Sequence, residues 1–512
     1  MVNARARESQ KRSGVTLGDL IAGLSVALVL VPQSLAYAEL AGLPAAYGLL
    51  AAAAAPLAAA FFASSPFLQT GPTALTALLT LGVLSSSFAV GSPEFIAAAA
   101  PLALLVGVIR VALGVAGLGG LAYFLSQPVL KGFTTGAAVL ILLSQLPTAV
   151  GRPAGGRSVL GGAAYALSNP GSWNLSACGL ALLTLFIVLG GRRVSARFPG
   201  VLIAVAVGVG AGWWSVGGPN VGDAGTALPS FFSALAGFSW AAFPSLFLGA
   251  ATIAVVGFAE PAAIARTFAG EQPGRWNPNR ELVSQGAANL AAGLVGTFPV
   301  GGSFSRSSLN KLAGATTRWS GLVTGLGALA FLPFAGLLAS LPKAVLAAVV
   351  IAAVVNLLDF RGLVRLWRYA RLQALTAYAT FALTLLLAPR VDYAVLLGIG
   401  LAVTAHLYRE ANLGVRAHRD GDALVLELSG VLWFGSAHQL ETAFDRLLET
   451  HRGVSSLVIE ASALGRVDLS GSLLLAELTD RAHGRGVEAE IRGLEPHVQR
   501  VLGRVRRGEH LE

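Results

Sequence analysis

The chain has 512 residues, 54% of them hydrophobic and only 12% charged, with a formal net charge of +10. A soluble domain carries about 25% charged residues, so this composition excludes an ordinary globular protein and predicts an integral α-helical membrane protein. The basic excess tracks membrane topology rather than a nucleic-acid partner. Cys178 is the single cysteine, which rules out an intrachain disulfide and argues against thiol or Cys-metal chemistry.

In chain order, residues 1–15 form a basic leader with Arg5, Arg7, Lys11 and Arg12. No small-residue cleavage site follows it, so it reads as a cytoplasmic lead into a first span, not a removed signal. The apolar pattern then predicts fourteen membrane segments. The first seven are 16–40, 45–62, a short 72–84, 95–117, 129–146, 180–190 and 201–214. The second seven are 244–264, 282–297, a short 305–313, 321–338, 345–358, 372–387 and 393–408. With the N-terminus inside, the cytoplasmic segments before residue 408 hold 16 Lys and Arg, and the outer loops hold 4. That bias predicts an even number of spans with both termini cytoplasmic. Residues 409–512 carry 29 of the 62 charged side chains, which sets a soluble domain apart from the membrane domain 16–408. Its apolar runs at 423–428, 456–459 and 487–491 predict strands, with amphipathic helices at 437–450 and 471–481. This is a small α/β domain.

Two polar, glycine-rich stretches interrupt the apolar runs. One is Leu68-Gln69-Thr70-Gly71-Pro72-Thr73, and the other is Val300-Gly301-Gly302-Ser303-Phe304-Ser305-Arg306. Irregular backbone at membrane depth is tolerated only where it is buried in protein or lines a cavity. Gln33 precedes the first break by 38 residues and Glu260 precedes Ser303 by 43. Each half therefore reads as a long span with a polar residue, a second span, then a short broken span. Seven spans per half is odd, so the second half is inverted, which places a site near the bilayer midplane.

Pro72 suits a first helical position, and Ser303 and Ser305 suit caps. Two helix N-termini facing one spot would attract an anion, and Arg306 could add a full charge. The plainer reading makes both breaks loops between packed helices. Glu260 follows an apolar run, and a carboxylate there is expensive unless protonated or paired. It is either a proton carrier or a structural hydrogen-bond acceptor. Glu39 and Lys131 lie nearer span ends and read equally as interfacial. Gln33 and Tyr37 share one helix face. No metal cluster, nucleophile-base pair or nucleotide loop is evident, so neither an enzyme nor a cofactor is expected.

The run Val31-Pro32-Gln33-Ser34-Leu35-Ala36-Tyr37-Ala38-Glu39-Leu40-Ala41-Gly42-Leu43-Pro44 resembles the first-span signature of the sulfate permease (SulP) family. Thr70-Gly71-Pro72-Thr73 resembles its third span and Gly302-Ser303-Phe304-Ser305-Arg306-Ser307 its tenth. The C-terminal domain resembles a STAS domain, with Asp468-Leu469-Ser470-Gly471 matching the Asp-x-Ser-Gly turn. The resemblance implies a seven-plus-seven inverted repeat with core and gate domains. It implies substrate contacts at Gln33, Tyr37, Thr73, Ser303, Phe304, Ser305 and Arg306, ion coupling at Glu260, and a regulatory position at Ser470. The expected function is secondary transport of a sulfate, bicarbonate or dicarboxylate anion across a bacterial-type inner membrane, coupled to H⁺. The expected partners are the anion, the proton, membrane lipid and a second copy. The rivals are uncoupled anion exchange, Na⁺ coupling, and, in a different class, a membrane-anchored STAS regulator.

Overall fold

A computed structural model of the protein describes residues 14–120, 126–152, 159–195, 198–222, 243–269, 276–451 and 453–506. Arg5, Arg7, Lys11, Arg12, Arg157, Arg197 and Arg275 of the topology argument lie outside the described residues, as does most of the 215–243 loop. The chain forms two compact units, one ending at Ile399 and the other beginning at Gly400.

The first half of the helical unit runs α1 (Leu17–Leu40), α2 (Ala45–Phe62), β1 (Thr70–Gly71), α3 (Ala74–Leu84), α4 (Pro93–Val115) and α5 (Gln127–Ala149). It continues with α6 (Val159–Ser168), α7 (Leu175–Leu185, prolonged through a π turn to Val194) and α8 (Gly200–Trp213). The second half runs α9 (Phe243–Ala269), α10 (Pro278–Leu294), β2 (Gly301–Gly302), α11 (Phe304–Leu312) and α12 (Trp319–Phe331). After these come α13 (Lys343–Val354), α14 (Phe360–Tyr369), α15 (Arg371–Leu386) and α16 (Val391–Ala411). Each predicted segment overlaps one of these helices. Among the described residues, nine helical stretches are long and apolar enough to cross a bilayer. The nine residues of α11 span about 14 Å, less than half of a hydrocarbon core. Two short helices were not expected. α6 lies between the predicted spans 129–146 and 180–190 and packs against α5, and α14 carries three arginines that give it the pattern of a basic loop.

Helix ends and helix contacts follow from the sequence. Thr16 caps α1 in a capping box with Asp19. The buried Asp19 carboxylate also accepts the backbone N–H groups of Thr316 and Thr317, both at 2.8 Å, so its burial is compensated. α4 and α10 approach closely because they meet through glycine. A Cβ added at Gly286 would stand 2.8 Å from the Val111 nitrogen and 3.0 Å from the Gly107 carbonyl oxygen. Small residues allow this backbone approach in lipid, where dispersion rather than hydrophobicity joins helices.

The second unit holds β3 (Gly414–Asp420), β4 (Ala423–Leu432), α17 (Phe434–Thr450), β5 (Ser456–Val467), α18 (Leu469–Gly484), β6 (Glu488–Arg492) and α19 (Pro496–Arg506). Its sheet order is β3-β4-β5-β6, antiparallel for the first pair and parallel for the others. Leu424, Leu426 and Leu428 bury the inner face of β4 by strict alternation. The sequence GVRAHRD of β3 has no such alternation because β3 is an exposed edge. Asp468 caps α18, accepting the Gly471 N–H at 2.8 Å. Ser470 is the second residue of that helix and is exposed, so the capping role belongs to Asp468 and not to the serine.

Candidate functional site

The two breaks meet. Thr70 pairs with Gly302 and Gly71 with Gly301 in a two-residue antiparallel ladder. Ser303 N–H donates to the Gln69 carbonyl at 3.0 Å, and Gln69 N–H donates to the Ser307 hydroxyl at 2.9 Å. Side chains from neighbouring helices add further bonds. Asn289 of α10 brackets Val300 on both sides. Its Oδ1 accepts the Val300 N–H at 3.0 Å, and its Nδ2 donates to the Val300 carbonyl at 3.1 Å. Gln285 Nε2 donates to Thr70 Oγ1 at 2.7 Å. Arg110 of α4 is fully buried and donates to three carbonyls, those of Val300 (3.0 Å), Ile253 (3.0 Å) and Ala254 (3.1 Å). No lipid could supply these partners, so polar side chains on α4 and α10 hold the broken backbone.

From this ladder α3 and α11 begin. Thr73 is the N-cap of α3, its hydroxyl accepting the Thr76 N–H at 3.2 Å. Pro72 therefore precedes the helix rather than opening it, and its carbonyl accepts Arg306 Nη2 at 2.8 Å. Ser303 is the N-cap of α11, but its hydroxyl makes no cap bond and instead meets the Ser305 hydroxyl at 3.3 Å. Ser305 is the second residue of that helix, not a cap. The first-turn N–H groups of both helices have no partner within the helix.

The two N-termini border a cavity of about 770 Å³. Gln33 and Tyr37 of α1, Thr73, Glu260 of α9, Ser303, Phe304 and Ser305 all line it. The Glu260 carboxyl lies near the Phe304 backbone N–H and in the field of Arg306. Tyr37 lies within electrostatic reach of Arg306, Glu260 and Arg192. Phe304 is half exposed and stacks on Phe268 at 6.2 Å between ring centroids.

Arg306 stands apart from the other expected contacts. It is 1% exposed and is not among the lining side chains. Its guanidinium reaches behind the wall to Gln33 Oε1 at 3.4 Å and to the Pro72 carbonyl. Its charge acts through the wall while its bonds fix the lining Gln33 and the Pro72 backbone that leads into α3. Three charged side chains line the cavity besides the expected Glu260. Lys131 and Asp359 form an ion pair at 2.9 Å, and Arg192 donates to the Ala352 carbonyl at 3.2 Å. In sequence Lys131 stands near a span end and Arg192 counts among the cytoplasmic basic residues, and neither property says which way a side chain faces. Glu39 pairs with Lys343 at 2.9 Å, away from the cavity lining. Arg110 had a signal that went unused, a lone cation deep in a 23-residue apolar helix.

The arrangement can hold a compact anion, with backbone N–H groups and two helix dipoles supplying the positive field. A family model described as the sulfate permease family matches residues 17–380, and one described as Mlab, STAS domain matches residues 415–509. The probable sulfate transporter MT1781 of Mycobacterium tuberculosis is 36% identical over 413 residues, covering 79% of this chain and 72% of its own. The sodium-independent sulfate anion transporter of Bos taurus is 31% identical over 528 residues, covering 94% and 85%. Among solved structures, murine Slc26a9 in the inward-facing state superimposes with a TM-score of 0.86 at 21% identity, over 96% of this chain and 88% of that one. The transmembrane domain of the cyanobacterial bicarbonate transporter BicA gives a TM-score of 0.64 at 26% identity, over 75% and 97%.

Proposed function

The chain belongs to the sulfate permease family, and from that premise we propose that it is a secondary active transporter whose anion is held between the N-termini of α3 and α11. The family is one of anion transporters, not of enzymes or membrane-anchored regulators. The observation that carries the site reading is the pairing of the two broken segments at one cavity, with Glu260 beside them. Gln33, Tyr37, Thr73, Ser303, Phe304 and Ser305 are the proposed contacts, and Arg306 acts from behind. The substrate class is sulfate, bicarbonate or dicarboxylate, since helix N-termini accept any compact anion.

Fourteen crossings in two inverted sets of seven, core and gate, form the proposed frame for alternating access. Residues 16–408 carry transport, and residues 409–512 form a cytoplasmic STAS domain with both termini inside an inner membrane. A homodimer and a regulatory role for the exposed Ser470 complete the proposal. Glu260 is the proposed proton carrier. One observation favours a second reading, uncoupled exchange: the Phe304 N–H and Arg306 already offset the Glu260 charge, as a structural carboxylate would need.

Uptake of labelled sulfate, bicarbonate and succinate into proteoliposomes tests the proposal. We expect saturable uptake of at least one, with mutual competition among accepted anions. No uptake and no binding of any of them by a folded protein would defeat it.

A further inference from the structure

We propose that α14 is an in-plane helix that docks on anionic phospholipid headgroups of the surrounding membrane. Its ten residues span about 15 Å, half of a hydrocarbon core, so it cannot cross alone. It is also cut off from α13 by a 3₁₀ turn at Val355–Leu357 and by Asp359, whose carboxylate caps it through the Gly362 N–H at 2.7 Å.

The faces of α14 divide cleanly. At about 100° per residue, Arg361, Arg365 and Arg368 fall within an arc of roughly 60°. Phe360, Val364 and Trp367 fall within a second arc of similar width beside it. All six are exposed; Val364 is 61% exposed and Trp367 44%. Gly362 and Leu363 are buried, and they face the unit. There Tyr378 of α15 donates its hydroxyl to the Leu363 carbonyl at 3.1 Å and stacks on Trp367. Phe360 likewise meets Phe381 of α15 edge-on at 6.1 Å, so α15 holds the inner edge of the apolar stripe while its outer side and the cationic face stay exposed.

Among the described residues, Arg361, Arg368 and the adjoining Arg371 make no hydrogen bond or ion pair, and Arg365 acts only through its field on Asp359. A bilayer surface with acidic lipids fits both open faces at once. Phosphates meet the arginines while the apolar stripe enters the acyl boundary. Free phosphate would leave Phe360, Val364 and Trp367 in water, and a second copy docked face to face would bring arginines against arginines. The seat also bears on the cavity, because Asp359 pairs with Lys131 and both line it. A lipid-anchored α14 therefore fixes part of the cavity wall.

The test reconstitutes the full chain and reads Trp367 as the difference between wild type and Trp367→Phe. Quenching by brominated phosphatidylglycerol is compared with quenching by brominated phosphatidylcholine at equal mole fraction. We expect stronger quenching by the acidic lipid. The triple variant Arg361→Gln, Arg365→Gln, Arg368→Gln should abolish the excess, each charge being worth about fivefold in lipid partition. The triple Arg→Lys variant should keep it, which holds the test if the Gln variant fails to fold. Equal quenching by both lipids in wild type overturns the proposal, as does an excess that survives in a folded Gln variant. Loss of the excess on adding glycerol phosphate at constant ionic strength assigns the face to soluble phosphate. Absence of quenching with dimer-dependent crosslinking of Val364→Cys assigns it to a second copy. None of these readings depends on transport, so they stand or fall apart from the transporter proposal.

Discussion

Asn289→Leu is predicted to damage the site without touching the cavity. Asn289 is fully buried and lies outside the lining, yet it satisfies both polar groups of Val300 at the entrance to β2. In the variant the Val300 carbonyl keeps Arg110 at 3.0 Å, so only the Val300 N–H is orphaned. An unsatisfied buried donor costs about 1–3 kcal/mol, to which the lost amide-to-carbonyl bond adds about 1 kcal/mol. The near-isosteric leucine leaves little cavity, so the total is about 2–4 kcal/mol. The orphaned donor also favours states in which β2 shifts to find a partner. If the shifted state then lies about 2 kcal/mol below the native one, the binding-competent fraction falls and apparent anion affinity drops roughly 30-fold. The assay pairs thermal unfolding in detergent with equilibrium anion binding. Asn289→Asp keeps the acceptor but sets a carboxylate against the Val300 carbonyl, and should be at least as harmful. If Asn289→Leu unfolds and binds as wild type does, the bracket is incidental and the polar network does not position the site.

Gly286→Leu should abolish folded yield, because its Cβ meets backbone atoms of α4 that no rotamer change can move; overpacking of this kind costs about 1–3 kcal/mol or more. Size-exclusion profiles of the detergent-solubilised variant check this, and a monodisperse wild-type peak refutes it. Removal of residues 409–512 should leave a folded helical unit that still binds anion, since the cavity lies wholly before that point. A folded truncation that binds nothing would show the division of labour to be wrong.

Much of this arrangement was legible in the sequence because membrane physics leaves few choices. Gly71-Pro72 and Gly301-Gly302 cannot continue a helix, and apolar runs on both sides forced them to depth. Gln33 and Glu260 follow from their distances to those breaks, Tyr37 from sharing a helix face with Gln33, and Ser303 from its fitness as a cap, whereas Thr73 is implied only by the family resemblance. What the sequence concealed is direction. Arg306 and Ser305 are neighbours on one helix turn, yet only Ser305 faces the cavity. No pattern in two-residue strands announces the β1–β2 ladder. Thr73 rather than Pro72 opens α3 because a hydroxyl cap satisfies an N–H that proline can only omit. Asn289 and Gln285 lie in the predicted span 282–297, where the apolar pattern does not mark them as partners of the breaks. Gln285 reaches the Thr70 hydroxyl, 215 residues away, and Asn289 reaches the Val300 backbone across the α10–β2 turn, which no helical pattern reveals.

Glu260→Gln decides between coupled and uncoupled transport. The Glu260 carboxyl lies near the Phe304 N–H at the mouth of α11 and in the field of Arg306. An anion arriving at the same N-terminus competes for both. Two negative charges roughly 5 Å apart repel by about 3 kcal/mol at an effective dielectric near 20. A proton on Glu260 removes that repulsion, so anion binding favours proton binding by about two orders of magnitude, and by reciprocity the proton favours the anion. Glutamine keeps the shape and stays neutral at every pH. The variant should therefore bind the anion at least as well as wild type, and it should still exchange anion for anion. It should no longer accumulate anion under an inward proton gradient. Uptake into proteoliposomes with and without that gradient makes the measurement, and retained exchange certifies that the variant is folded. If Glu260→Gln keeps full gradient-driven accumulation, the carboxylate serves only to terminate the Phe304 N–H, and coupling must be sought at another group or abandoned.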